Sequence, residues 1–288
     1  MSGVEAAFLA HRRARRLTTL TGGGLLIACL LLSAWVAEAW PSSVIAGAPR
    51  VGAYFSKLIP DLRPAVLFAG TQTEGSLAYW MYRVDIWLWL LFETSQMAAL
   101  ATLLGSLGAL VLCFPAAANL APNRITYLAF RRCLELFRCV PDIVYALILV
   151  WTFGVGPLAG ILAIALHTTG ALGKLFAEAA ENADMRAWDG IKATGATWIA
   201  CVRFAILPQG LPNILSYVLL RFEINVRGAT VIGFVGAGGI GQELYAVISF
   251  NYYQEIGAIV VLIVLAVSLI DMLSERLRSR AISGGARA

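Results

Sequence analysis

Six stretches of this chain, 18–39, 86–114, 133–154, 157–176, 211–234 and 252–273, are apolar runs about as long as a bilayer is thick, and the segments between them hold most of the charge. In hydrocarbon every main-chain N–H and C=O needs a partner within the protein, so such runs become helices. With 59% hydrophobic and 14% charged residues there is too little polar surface for a soluble globule. The expected fold is all-α, a polytopic membrane protein with about six transmembrane helices. The net charge of +5, 22 basic against 17 acidic residues, comes from clusters on one side of the bilayer, so nucleic acid is not an expected partner. The five cysteines, Cys29, Cys113, Cys133, Cys139 and Cys201, lack CxxC spacing and read as packing residues.

The clusters set the orientation. His11, Arg12, Arg13, Arg15 and Arg16 precede the first run and place the N-terminal tail, 1–17, in the cytoplasm. Ala37-Glu38-Ala39 mimics a signal cleavage site, but the run before it exceeds the roughly 7–15 residues of a signal core, so it is read as a retained span. The permease body is then 18–276. Within it, 41–85 is an external connector, where Pro41, Pro49, Pro60 and Pro64 should break any long helix and 51–59 forms a short interfacial one through Tyr54, Phe55, Leu58 and Ile59. Trp80, Trp87 and Trp89 fit an interfacial belt at the outer end of the second span. Asn119, Arg124, Arg131 and Arg132 return the chain to the cytoplasm; Glu135 and Arg138 begin the third span, which Pro141 kinks or breaks. The turn at 154–157 has no Lys or Arg, as an external turn should. Arg276, Arg278, Arg280 and Arg287 leave the tail, 277–288, in the cytoplasm. Only the connector departs from the charge bias, with Arg50, Lys57, Arg63 and Arg83 beside Asp61, Glu74 and Asp85, and long external segments tolerate that.

Between the fourth and fifth spans lies a polar segment, 178–208, whose core reads RAWDGIKATGATWIACVRFAILP. Its charged and apolar residues are too evenly mixed for a span. Gly195 suits the left-handed residue that ends a first helix, and Leu207-Pro208 is expected to close a second. The segment resembles the coupling loop of ABC importer permeases, whose motif is a Glu-Ala-Ala triplet, a Gly and an Ile-x-Leu-Pro at fixed spacing. Counting back from Leu207-Pro208 places Gly195 at the Gly and Asp189-Gly190-Ile191 at the triplet, with Ala205 in place of Ile; the literal Glu178-Ala179-Ala180 is out of register. From about Ile86 onward, through Glu93-Thr94, Pro141-Asp142, His167, Gly173-Lys174-Leu175-Phe176 and Gly236 to Leu244, the chain resembles the phosphonate, phosphite and phosphate branch of these permeases. The resemblance implies a type I importer transmembrane domain in a bacterial inner membrane, paired as a homodimer and surrounded by lipid. It also implies two cytoplasmic ATPases and an external substrate-binding protein. Ala187, Asp189, Ile191, Lys192, Gly195, Ala196, Trp198, Leu207 and Pro208 would form the ATPase-coupling surface. ATP and Mg would sit on the ATPase, with no cofactor on this chain. Consistently, there is no Walker A motif, since Gly173-Lys174 lacks the upstream glycines, so the chain is not expected to be an enzyme.

Charges inside spans cost about 2.5–3.5 kcal/mol each on insertion scales and need a partner or a task. The fifth span holds Arg221, Glu223, Asn225 and Arg227, with Glu223–Arg227 and Arg221–Asn225 at helical spacing. They either knit the bundle or let an arginine attract a tetrahedral oxyanion in the path. His167 in the fourth span reads first as a hydrogen-bonding residue between helices, and without paired acids no metal site is expected. Glu93 near the outer end of the second span is either wetted or part of a gate. The GAGGIG at 236–241 matches a dinucleotide fingerprint literally but sits between two spans. Gly236, Gly238 and Gly239, with Gly228, Gly233 and Gly241, read instead as a compact external gate or re-entrant segment at 234–251, or as tight packing. A secondary transporter or channel for a small anion is the alternative class, and a nucleotide-binding membrane enzyme a third.

Overall fold

The computed structural model describes residues 3–285 and divides into two compact units, 1–59 and 60–288. In the first, α1 (Gly3–Val36) is continuous, and its part His11–Val36 is long and apolar enough to cross a membrane. The helix that follows, α2 (Pro41–Leu58), corrects an expectation. Neither proline breaks it: Pro41 occupies the first turn, where a missing N–H costs nothing, and Pro49 is carried inside an 18-residue helix.

In the second unit the helices are α3 (Leu77–Trp80), α4 (Val84–Cys113), α5 (Arg124–Cys139), α6 (Asp142–Phe153), α7 (Pro157–Glu181), α8 (Met185–Ala193), α9 (Trp198–Cys201), α10 (Leu207–Ile232), α11 (Gly239–Ser249) and α12 (Tyr253–Gly285). Of these α4, α7 and α12 are straight candidate spans, and α10 with α11 forms a bent one, broken by 48°. Arg287 lies outside the described residues.

The α4–α7 pair is the spine, and small residues bring it together. A Cβ on Gly105 would stand 2.7 Å from Thr168 Cβ and 2.9 Å from the Ala165 carbonyl oxygen, so only glycine permits this approach. Ala98, Ala101 and Ala109 of α4 and Ala163 of α7 are fully buried. Hydroxyls on the same face are satisfied within their own helix: Thr102 donates to Ala98 O at 2.6 Å, and Ser106 to Thr102 O at 2.6 Å. Two hydrophobic cores result, one at the 113–120 end against Phe176 and Ile206, the other around Ile164, Val226 and Ile232.

The third span is broken, not kinked. Val140 lies in the extended region, where a following proline pushes its predecessor, and this separates α5 from α6. His167 Nδ1 sits 3.1 Å from the Val140 carbonyl oxygen, the acceptor that the break leaves without its helical partner. α6 has only 12 residues, about 18 Å at the helical rise, so it is shorter than the hydrocarbon core. Trp87 also departs from the expected belt. It is fully buried, packed edge-on to Tyr82 at 6.0 Å, while Trp89 is exposed.

The tightest contact in the unit yields a stability test. A Cβ on Gly241 would fall 1.9 Å from the Thr230 carbonyl oxygen, whereas one on Gly190 meets nothing. Gly241→Ala should cost about 1–3 kcal/mol and lower the detergent melting temperature by several degrees. Gly190→Ala should leave it unchanged or raised; equal melting of the two variants would refute the packing.

Candidate functional site

The polar hairpin is built by caps and rooted by side chains. Asp184 caps α8, accepting from the Arg186 main-chain N–H at 2.9 Å. The Arg186 guanidinium also binds that carboxylate and holds it below the usual carboxylate range. α8 ends at Gly195, whose φ of +80° is the left-handed conformation expected for it. Thr197 then caps α9. Roots run back into the bundle: Trp198 Nε1 donates to Leu120 O at 2.8 Å, and Gln209 exchanges bonds with the Asp184 main chain at 2.9 and 3.2 Å. Glu181 accepts from the Ala118 N–H at 2.9 Å and pairs with Arg131 at 3.0 Å.

Ala187, Asp189, Lys192 and Gly195 face outward, as a coupling surface requires. Ile191, Ala196 and Trp198 do not; they pack on the core and anchor the hairpin. Leu207-Pro208 does not close a second helix either. A π-helical turn, Val202–Ile206, joins α9 directly to α10, with the Leu207 N–H donating to Val202 O and Pro208 entering at the first turn of α10. The second arm of the hairpin and the fifth span are thus one continuous rod. Sequence reading missed the face this creates, with Ile199 71% exposed and Arg203 set over the exposed Phe204 ring at 5.4 Å. Ile199 and Arg203 lie one helical turn apart, a signal hidden by reading Leu-Pro as a stop.

Midway along the bundle the polar residues of α10 pair across helices, not within one as expected. Asn225 Nδ2 donates to Thr102 Oγ1 at 2.8 Å and to Thr168 Oγ1 at 3.0 Å, joining α10 to α4 and α7. Arg227 reaches Glu223 only at its main-chain oxygen, 3.4 Å, and pairs with Asp271 of α12 at 3.4 Å. Glu223 is buried. Arg221 donates from Nε to Thr168 Oγ1 at 3.3 Å. Among the described residues, no carboxylate lies within ion-pair reach of Arg221.

At the end away from the hairpin the glycine-rich stretch folds against α4 and α7. Gly236, Gly238 and Gly239 all have positive φ. Gly156 N–H donates to Gly236 O at 2.9 Å, and Ile240 N–H to Thr94 Oγ1 at 2.9 Å. The helix α10 precedes this stretch where a dinucleotide site would need a strand. Arg83 ties the start of α4 to Glu243 of α11 at 2.7 Å. Glu93 stands apart from this seam, on a recess with Gln96, Leu100 and Ile161. His167 is taken up at the α5–α6 break.

Residues 109–280 match the family described as binding-protein-dependent transport system inner membrane component. The chain is similar to the putative phosphite transport system permease protein HtxC of Stutzerimonas stutzeri, 39% identical over 65% of this chain and 66% of that one. It is also 30% identical to the phosphate-import permease protein PhnE of Mycolicibacterium smegmatis, over 86% of this chain and 43% of the relative. It thus spans about two thirds of the first and under half of the second. Among solved structures, the MetNI methionine ABC transporter in an inward-facing conformation superposes with a TM-score of 0.60 at 21% identity, covering 69% of this chain and 97% of that one.

The cross-helix bonds of Asn225 can be weighed by substitution. Asn225→Leu should destabilise the purified protein by about 1 kcal/mol or somewhat more, since both threonines lose a donor. Arg132→Ala, breaking an exposed ion pair with Glu135, should change melting little. If Asn225→Leu melts like the parent, the network contributes nothing.

Proposed function

The chain belongs to the binding-protein-dependent transport system inner membrane component family, and from that premise we propose that it is the permease subunit of an ATP-driven importer of a small phosphorus oxyanion: phosphite, phosphonate or phosphate. The names of its relatives support the cargo class. The observation that carries the reading is the elbow at Gly195, rooted on three segments, exposed on its outer face and continuous with a span. Two copies of the chain pair around the path. Two ATPases, which bind ATP and Mg, seat on the paired hairpins, and an external binding protein delivers cargo at the opposite end. The charge bias supports that orientation, with the hairpin and both termini in the cytoplasm: Arg124, Arg131, Arg132, Arg186, Lys192 and Arg203 gather at the hairpin end.

Closure of the ATPases carries the hairpins with them. Because α9, the π-turn and α10 form one rod, displacement at Ile199 rotates the fifth span, and a push on Asp189 and Lys192 of α8 reaches that rod through the rooted Gly195 turn. Arg221 is then the cation that meets the cargo. Arg227 is paired with Asp271, whereas Arg221 donates to the Thr168 hydroxyl and feels Asp142 only from beyond ion-pair reach, which leaves its donors for a passing anion. One such arginine attracts without trapping. Gly236, Gly238 and Gly239 form the outer seal, their backbone turned by positive φ onto α4.

Two measurements test this. Arg221→Gln should lower uptake of phosphite or phosphate at least about tenfold, the value of a charge-assisted hydrogen bond, with melting and ATPase assembly unchanged; full uptake would remove Arg221 from the path. Gly195→Trp should leave the assembled complex hydrolysing ATP while uptake stops. Unimpaired uptake in that variant would count against the hairpin as the coupling element.

A further inference from the structure

At the end of the larger unit away from the hairpin, where α3 and the start of α4 meet the start of α12, lies a cavity of about 410 Å³. Its walls include Tyr79, Trp80, Tyr82, Tyr252, Tyr253 and Glu255. Each ring named in its bonds is held in place. Trp80 Nε1 donates to Gln254 O at 2.8 Å, and Tyr82 Oη donates to Glu255 Oε1 at 3.0 Å. Tyr252 stacks on Phe250 at 5.8 Å, and Tyr253 Oη bonds Asn251 Oδ1 at 3.2 Å. Behind Tyr82 stands the fully buried Trp87. Burial, and then the bond to Glu255, hold the Tyr82 phenol above its ordinary range, so it stays a donor and fixes the carboxylate.

A second cavity of about 230 Å³ shares Tyr79, Trp80 and Gln254 with the first, and adds Asp61, Glu74 and Arg63. The charged groups lining the two are therefore Asp61, Glu74 and Glu255 against Arg63 alone, a balance of two negative charges. The neighbouring Arg83 is bound to Glu243. Aromatic faces carry negative quadrupole density and draw cations, and a carboxylate at the rim adds to the attraction. The same features repel an oxyanion, so this cavity is no station for the proposed cargo.

We propose that this aromatic box is a binding site for an alkylammonium group. Bilayer spans begin at its level, so the group can arrive on a lipid headgroup or as a water-soluble amine. The shared chemistry is a methylated or primary ammonium seated among Tyr79, Trp80, Tyr82 and Tyr252, with Glu255 as counter-charge.

The test uses the full chain in nanodiscs and tetramethylammonium chloride as probe, with sodium chloride at equal ionic strength as control. Saturable quenching of tryptophan fluorescence is expected with the first salt and not the second. Glu255→Gln and, independently, Tyr252→Ala should each weaken the response about tenfold while melting stays at the parent value; Trp80→Phe should abolish most of the signal. In discs of phosphatidylglycerol alone the probe binds a vacant site. Adding phosphatidylethanolamine should raise the apparent Kd by competition if the headgroup is the occupant, and should leave it unchanged if the occupant is a soluble amine. Quenching that never saturates in either disc, or that is the same in Glu255→Gln as in the parent, would overturn the site.

Discussion

The approach of α4 to α7 at Gly105 and Thr168 sets the spacing of the helices around them. Thr168 has no exposed surface, and its hydroxyl receives both Asn225 and Arg221. Lipid tails are as apolar as leucine, so no hydrophobic force presses these helices together; close packing and hydrogen bonds must do it. The missing Cβ at Gly105 lets α7 come near enough for Thr102 and Thr168 to be spanned by a single amide. One contact thereby serves two ends. It closes the core, and it leaves a guanidinium in mid-bundle touching a hydroxyl instead of an acid.

Stiffness at the hairpin follows from where its polar groups are satisfied. The Gln209 side chain bonds the Asp184 main chain, Trp198 and Glu181 bond that of the 114–120 turn, and Asn119 bonds Ala180 O of α7. A loop held only by its two ends would bend under load. This one is fastened at several points and continues into α10 through a π-turn, so in the proposed mechanism its motion becomes motion of the span. Pro208 is tolerated for a local reason. It sits at the first turn of α10, directly after the π-turn, where its missing N–H costs least.

Much of this was legible beforehand. Apolar run lengths place α1, α4, α7, α10 and α12, and Gly195 announces its own φ because few other residues adopt it without strain. The Pro141 break follows from what proline does to the residue before it. Pairings across helices were not legible. Spacing along α10 suggested Glu223–Arg227 and Arg221–Asn225, but tertiary partners on α4, α7 and α12 won, because in a dry interface an unmet Thr or Asp costs more than a short-range pair returns. Trp87 was misplaced for a related reason: sequence shows that it lies near an interface and cannot show which face of α4 turns inward. Trp198 reads in sequence as a contact for a partner, but its N–H is spent on Leu120 O.

The two ends of the larger unit differ in charge in a way that bears on an anion's passage. Arginines and lysine crowd the hairpin end, while at the other end Asp61, Glu74 and Glu255 outnumber Arg63 around the aromatic box and Arg83 is bound to Glu243. In the proposed mechanism an anion approaching from that end meets repulsion at the box and is left the route along the α10 seam toward Arg221. A field of this sign suits an importer supplied by a separate binding protein. Capture from dilute solution would call for a basic mouth, whereas in the proposed mechanism delivery in a bound state needs only a path with a cation inside it.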